Sequence, residues 1–292
     1  MRTTPSLNQR PSFSRRAWLS LLASGSLAAC SPVLGTLNLV SGGQPDGNRL
    51  DRSYGPDPRH RYDLYGAAEG SGPLVVFIHG GGWDSLSKDQ FAFVGNALVA
   101  QGFSAALINY RLGPNTPFPG FVFDAARAVA ALRKITQRRV VLMGHSAGAH
   151  IAALVTLDPR YLAAFGTRPC EAVAGFVGLA GPYDFLPLTE ERYKAIFPAN
   201  TRPQSQPINF VGGPHPPILL AHGLDDATVE PDETRRLAAA LRRAGGEIKT
   251  LLLEKVDHTD IIGAYGPGLS RLAPIREPVA AFIRRIGNNV GC

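Results

Sequence analysis

Ser146 is the residue of this chain whose neighbours best equip it as a nucleophile. It lies in Gly144-His145-Ser146-Ala147-Gly148, directly behind the apolar run 139–143. A G-x-S-x-G segment between a strand and a helix lifts the serine Oγ clear of the backbone, where it can attack a carbonyl carbon. Flanking glycines suit such a turn, because it crowds backbone against backbone. The spacing predicts a helix from Ala147 to about Leu157, with its first N–H groups aimed at the place where negative charge develops. A serine used this way needs a base, and the base needs an acid to orient it. His258, shortly behind the apolar run 248–253, offers an imidazole. Asp225 and Asp226, behind the run 217–221, offer a carboxylate, and spacing does not separate the two. The loop His79-Gly80-Gly81-Gly82-Trp83, after the run Leu74–Ile78, can turn successive N–H groups toward one spot. The expected oxyanion donors are Ala147 with Gly81 or Gly82.

These residues need a scaffold that delivers them to one place. Four short apolar runs, at 74–78, 139–143, 217–221 and 248–253, each end immediately before or close to a chemistry-bearing loop. Helical patterns separate them. One runs from Ser87 to about Gln101. Another puts Phe121, Ala125, Ala128 and Leu132 on one face, and a third carries Leu237, Ala240, Leu241 and Ala244 up to Gly245-Gly246. Alternating strands and helices, with 45% hydrophobic residues, predict an α/β domain with a mostly parallel sheet covered on both faces. A chain of 292 residues can bury one sizeable core. The stretch 186–213 is weakly periodic and broken by prolines, as expected of a small lid or insertion over the site.

The order Ser146, Asp225 or Asp226, His258 is that of the α/β-hydrolases. The segments His79–Trp83, Asn109-Tyr110-Arg111-Leu112, Gly144–Gly148, Gly181-Pro182-Tyr183-Asp184-Phe185 and His222–Val229 resemble the esterase branch of that superfamily, over residues 60 to 288. Within it the chain is similar to carbohydrate acetyl and feruloyl esterases and to kynurenine-formamidase-like enzymes. The resemblance implies an α/β-hydrolase fold and hydrolysis of short-acyl carboxylic esters. Laid on His222–Val229, its H-G-x-x-D-x-x-V pattern selects Asp226 as the acid. An arylformamidase acting on N-formyl amides is the nearest alternative. A catalytically silent binding lipoprotein is a more distant one, since such a protein would have no need to keep all three groups. Trp83 and Tyr183 are expected near the substrate, where flat rings suit a sugar or an aryl group.

The first thirty residues form a separate object. Arg2, Arg10, Arg15 and Arg16 precede the uncharged stretch Ala17–Ala29, which is too short to cross a bilayer and reads as the core of a signal peptide, 1–29. Ser14–Leu19 resembles a twin-arginine export signal, and Leu27-Ala28-Ala29-Cys30 a bacterial lipobox. Cys30 is therefore the expected lipidation site, attaching an exported protein to the cell envelope. Residues 30–57 are expected to tether the hydrolase domain, 58–292. With export, Cys170 and Cys292 could pair or remain free thiols.

The formal charge is +7, and removing the four leader arginines leaves +3. That charge is small and scattered, which argues against nucleic acid as a partner, and Arg235-Arg236 and Arg242-Arg243 are expected on a solvated helix face. The seven histidines show no metal-ligand spacing. His145 and His150 are expected to be packed and hydrogen-bonded, and His79 to shape its loop. Serine-based acyl transfer needs no metal and no cofactor.

Overall fold

The computed structural model describes residues 49–287. Its strands are β1 (Arg49–Ser53), β2 (Arg61–Tyr65), β3 (Leu74–Ile78), β4 (Ala105–Ile108), β5 (Val140–His145), β6 (Val173–Leu179), β7 (Ile218–Gly223) and β8 (Ile248–Leu253). They form one sheet in the order β1-β2-β4-β3-β5-β6-β7-β8. From β4 to β8 all pairs are parallel, while β1 and β2 join antiparallel at one edge. The main helices are α1 (Ala92–Ala100), α2 (Gly120–Thr136), α3 (Ala147–Leu157), α4 (Glu191–Ile196), α5 (Pro231–Arg243) and α6 (Arg276–Ile286).

The pleat divides each central strand between two cores. Leu74, Val76 and Ile78 of β3, with Val140 and Leu142 of β5, face one core with Phe121, Leu132, Ile151 and Leu237 of α2, α3 and α5. Val75 and Phe77, with Val141 and Met143, face the other with Phe93, Leu98, Val279 and Phe282 of α1 and α6. Helices on both faces explain why these strands are apolar throughout and not alternating. Burying so many large side chains, at roughly 2 kcal/mol each, is what holds the sheet centre rigid.

The chain reverses its lateral direction at β3, whose neighbours are β4 on one side and β5 on the other. In open α/β sheets a crevice forms at such a reversal, outside the carboxyl ends of the strands. The loops after β3 and β5 carry His79–Trp83 and Ser146 to that end.

The tether was expected to reach residue 57, but Arg49–Ser53 form an edge strand, pairing Arg52 with Tyr62. Leu50, Asp51, Arg52 and Ser53 are exposed, as suits an edge strand that keeps its charges in water. The leader, Cys30 and the rest of the tether lie outside the described residues. Cys170 is disulfide-bonded, and its partner is likewise outside them.

Candidate active site

The turn after β5 holds Ser146 in a left-handed conformation, φ 54° and ψ −124°. A non-glycine residue is strained there, and strain of this kind persists only where the surroundings enforce it. Two close approaches enforce it. A Cβ on Gly144 would lie 2.3 Å from the carbonyl oxygen of Gly148, and one on Gly148 would lie 2.0 Å from that of Ile78. The Ser146 N–H donates to the carbonyl of Leu179 at 2.9 Å, tying the turn to β6.

Asp226 and His258 come from the loops after β7 and β8. The Nδ1–H of His258 donates to Asp226 Oδ2 at 2.7 Å. Three further donors converge on this carboxylate: His222 Nε2–H at 3.1 Å, and the N–H groups of Thr228 and Val229 at 2.8 and 2.9 Å on Oδ1. His222 has its proton on Nε2, because that nitrogen also contacts the Val229 carbonyl, while Nδ1 accepts from the Thr234 hydroxyl. Burial opposes the charge on Asp226, but the hydrogen bonds from His222 and His258 outweigh it and hold the group well below the usual carboxylate range. Asp225 is exposed and makes no contact with His258. With Nδ1 engaged, Nε2 is the His258 nitrogen left for proton transfer. His145 buttresses it from behind, donating Nε2–H to the His258 carbonyl at 2.9 Å with the rings 4.8 Å apart.

The loop after β3 is bent by Gly81 at φ 109°, Gly82 at φ 57° and Trp83 at φ 65°. A side chain on Gly81 would meet the Ser85 carbonyl at 2.3 Å. Among the described residues, no carbonyl or side chain takes the N–H of Gly81, Gly82 or Ala147. Ala147 opens α3, so its N–H has no partner within the helix either. Beneath the loop the Tyr110 hydroxyl contacts the carbonyls of His79 and Gly80 at 3.2 and 3.4 Å. Its neighbours anchor the same segment: Asn109 Oδ1 accepts from the Lys88 N–H at 2.6 Å, and Arg111 forks onto Asp124.

A cavity of about 490 Å³ opens on Ser146. Gly82, Trp83, Phe185, Leu186, Tyr193 and Val229 give it an apolar side, and Asp184, Glu230, Glu233 and Arg236 a charged one. The expected lid does stand against the site, contributing residues 186–190 and Tyr193. Trp83 lines the cavity as expected. Tyr183 does not. It is fully buried, a Cβ on Gly178 would meet its hydroxyl at 2.2 Å, and its place at the cavity wall is taken by Phe185. Glu233 draws Tyr183 inward by accepting the N–H groups of Tyr183 and Asp184 at 2.9 and 2.5 Å. Arg236 also departs from expectation. Its guanidinium is not simply solvated but reaches the cavity wall, bonded to Asp184 at 2.7 Å and facing Glu233 at 3.1 Å. Neither role has a signal in one sequence, since α5 meets the turn after β6 only in the folded chain. Among the described residues no group of three or more His, Cys, Asp or Glu is placed to hold a metal ion.

Three buried histidines make the site acid-sensitive. Burial pushes His79 and His145 down to about 3 and His150 down to about 4, from an ordinary 6.5. Below pH 6.5 the unfolded chain therefore binds more protons than the folded one, so stability falls as pH drops from 6.5 toward 4. Each histidine adds to this loss, and its full slope of roughly 1 kcal/mol per pH unit is reached only in the middle of that window. Urea unfolding should show a clearly lower midpoint at pH 5 than at pH 7, and equal midpoints would contradict this protonation scheme.

A family model described as BD-FAE matches residues 62–241. A probable isoprenylcysteine alpha-carbonyl methylesterase of Arabidopsis thaliana, ICMEL1, is 30% identical over 239 residues, covering 71% of this chain and 50% of the relative. The chain thus spans about half the length of the plant relatives it matches. Esterase LipC of Mycobacterium tuberculosis is 25% identical over 269 residues, covering 80% of this chain and 64% of that protein. Among solved structures, esterase B of Lactobacillus rhamnosis inhibited by a tributyrin phosphonate superposes with a TM-score of 0.74. It is 18% identical, with 94% of this chain and 97% of that one covered, and shows the shared fold.

Proposed function

This chain belongs to the BD-FAE family, and on that premise we propose that it is a serine carboxylesterase acting on short-acyl esters. The observation that carries the reading is the bond from His258 Nδ1–H to Asp226, with the His258 ring packed against His145, the residue before the strained Ser146, and with backbone N–H groups of Ala147, Gly81 and Gly82 that find no acceptor among the described residues. Ser146 Oγ attacks the ester carbonyl carbon while His258 Nε2 takes its proton. Asp226 holds Nδ1–H and stabilises the imidazolium. The oxyanion is met by the N–H groups of Ala147 and of Gly81 or Gly82, each worth roughly 3 kcal/mol in the transition state. His258 then gives its proton to the departing alcohol, leaving an acyl-Ser146. Water, deprotonated by the same nitrogen, attacks that acyl group and releases the acid.

The cavity supports a small substrate. Its 490 Å³ are bounded by residues 186–189 and Tyr193 and by five charged side chains, Asp184, Glu190, Glu230, Glu233 and Arg236, and a long alkyl chain would need a continuous apolar surface instead. Across a p-nitrophenyl ester series, kcat/KM is expected to peak at acetyl or butyryl and fall by about tenfold or more by decanoyl. A maximum at long chains would sink the short-acyl reading, and preference for N-formylkynurenine over every ester would favour the formamidase alternative.

The proposal for the leader is separate. Lipidation at Cys30 would place the enzyme at the cell envelope, anchored by more than one acyl chain. Cys30→Ser should then move the protein from the membrane to the soluble fraction, and an unchanged membrane fraction counts against it.

A further inference from the structure

Trp83 follows directly on Gly82 and shares its left-handed backbone, φ 65° against 57°. A tryptophan in that conformation is strained and must be held by its surroundings. Its carbonyl accepts the Gly113 N–H at 2.9 Å, and its indole Nε1–H donates to His150 Nδ1 at 3.0 Å. His150 stands on the first turn of α3, four residues after Ser146, and its backbone N–H contacts the Ser146 carbonyl at 3.2 Å. One imidazole therefore joins the loop that carries Gly82 to the helix that carries Ala147.

The other ring nitrogen fixes the proton. His150 Nε2 lies 2.7 Å from the carbonyl oxygen of Ser205, in the segment after α4. A carbonyl can only accept, so Nε2 carries the hydrogen and Nδ1 is the acceptor that the indole requires. With the proton on Nδ1, two N–H groups would face each other across 3.0 Å. The ring is fully buried among Trp83, Phe185 and Phe197, with centroids 5.2, 5.4 and 5.8 Å away. Burial also pushes it down to about 4, so it is neutral at pH 7.

We propose that His150 is a positioning residue for the oxyanion hole: the Ser205 carbonyl selects its tautomer, and that tautomer holds Trp83, and with it Gly82, in register with Ala147. The idea rests on the serine-esterase reading and adds a role for a buried histidine that the acyl-transfer steps do not use. It also gives the segment 186–213 a second task. Besides walling the cavity, this segment sets the state of a hydrogen bond behind the oxyanion loop. A displacement of about 1 Å at such donors can cost about a hundredfold in rate while ground-state binding changes little.

The test separates the two ends of the imidazole. Asparagine can present an oxygen near the Nδ1 position, and glutamine an N–H near the Nε2 position. His150→Leu is expected to lower kcat on p-nitrophenyl acetate by about tenfold to a hundredfold, with KM changed by less than about threefold. His150→Asn should recover most of kcat and His150→Gln much less. The chain has two tryptophans, Trp18 and Trp83, so a Trp18→Phe background leaves a single indole N–H resonance. That resonance should be slow to exchange with solvent in the parent and in His150→Asn, and fast in His150→Gln and His150→Leu. Should His150→Leu fail to fold, the Asn and Gln pair decides. Three folded variants with equal kcat, whether all impaired or all like the parent, overturn the proposal. So does a recovery by Gln and not by Asn. Absence of any ester turnover in the parent would defeat the esterase reading instead, and the indole exchange would still report on the hydrogen bond.

Discussion

Replacing Ser146 with alanine is expected to lower kcat about a millionfold and leave the fold intact. Residues that act as a unit lose nearly everything when the nucleophile goes, and what remains comes from binding and the oxyanion donors. The strain at Ser146 belongs to the turn and not to the hydroxyl, because the turn is imposed by the Gly144–Gly148 approach and the bond to Leu179. Alanine can take that backbone at the same cost as serine. Unfolding midpoints should therefore coincide within error while turnover of p-nitrophenyl acetate vanishes. A variant that keeps even about one per cent of the parent kcat would show that another group carries the attack.

Asp226→Asn is the second large effect, about ten-thousandfold in kcat. The amide is close in shape to the carboxylate, so the substitution changes hydrogen bonding and charge and leaves the volume of the side chain unchanged. What changes is the acceptor that holds His258 Nδ1–H and the charge that stabilises the imidazolium. Asp226 receives four donors, from His222, His258, Thr228 and Val229, and an asparagine that turns its NH₂ toward any of them sets donor against donor. Asp225→Asn, one residue earlier and exposed, should change kcat by less than about threefold. Measuring both variants under saturating substrate decides between the neighbours, and a larger loss at Asp225 would overturn the assignment.

That pair shows what one sequence can and cannot carry. Ser146, the glycine loop and the order of the groups along the chain are legible because a strand, a turn and a helix are local events with local signatures. The central strands are legible for the same reason, since burial on both faces leaves unbroken apolar runs such as Leu74–Ile78. The choice of Asp226 over Asp225 is only partly local. Spacing alone leaves the two open and the resemblance selects Asp226; in the fold, donors from its own segment, His222, Thr228 and Val229, converge on it, and His258 reaches it from the loop after β8. The edge strand Arg49–Ser53 is invisible for the opposite reason: its charged residues read as loop, and only pairing with β2 makes them strand. Tyr183 follows the same logic. In sequence it neighbours the site, yet the hydrogen bonds of its backbone to Glu233 on α5 turn the ring into the core and bring Phe185 to the cavity. Residues held by their own turn, such as Ser146, carry a local signature, and those whose surroundings come from a distant helix, such as Tyr183 and Arg236, do not.

The central claim is that Ser146 forms a covalent intermediate, and trapping that bond tests it most directly. Diethyl p-nitrophenyl phosphate transfers its diethylphosphoryl group to the Oγ of an activated serine and releases p-nitrophenol, leaving a phosphate triester that hydrolyses far more slowly than an acyl-enzyme. After incubation, peptide mass mapping should find one diethylphosphoryl group, on the peptide that contains Ser146, in proportion to lost esterase activity. Ser146→Ala should take up none. Full inactivation with the label elsewhere, or retained activity with Ser146 quantitatively labelled, would contradict the account.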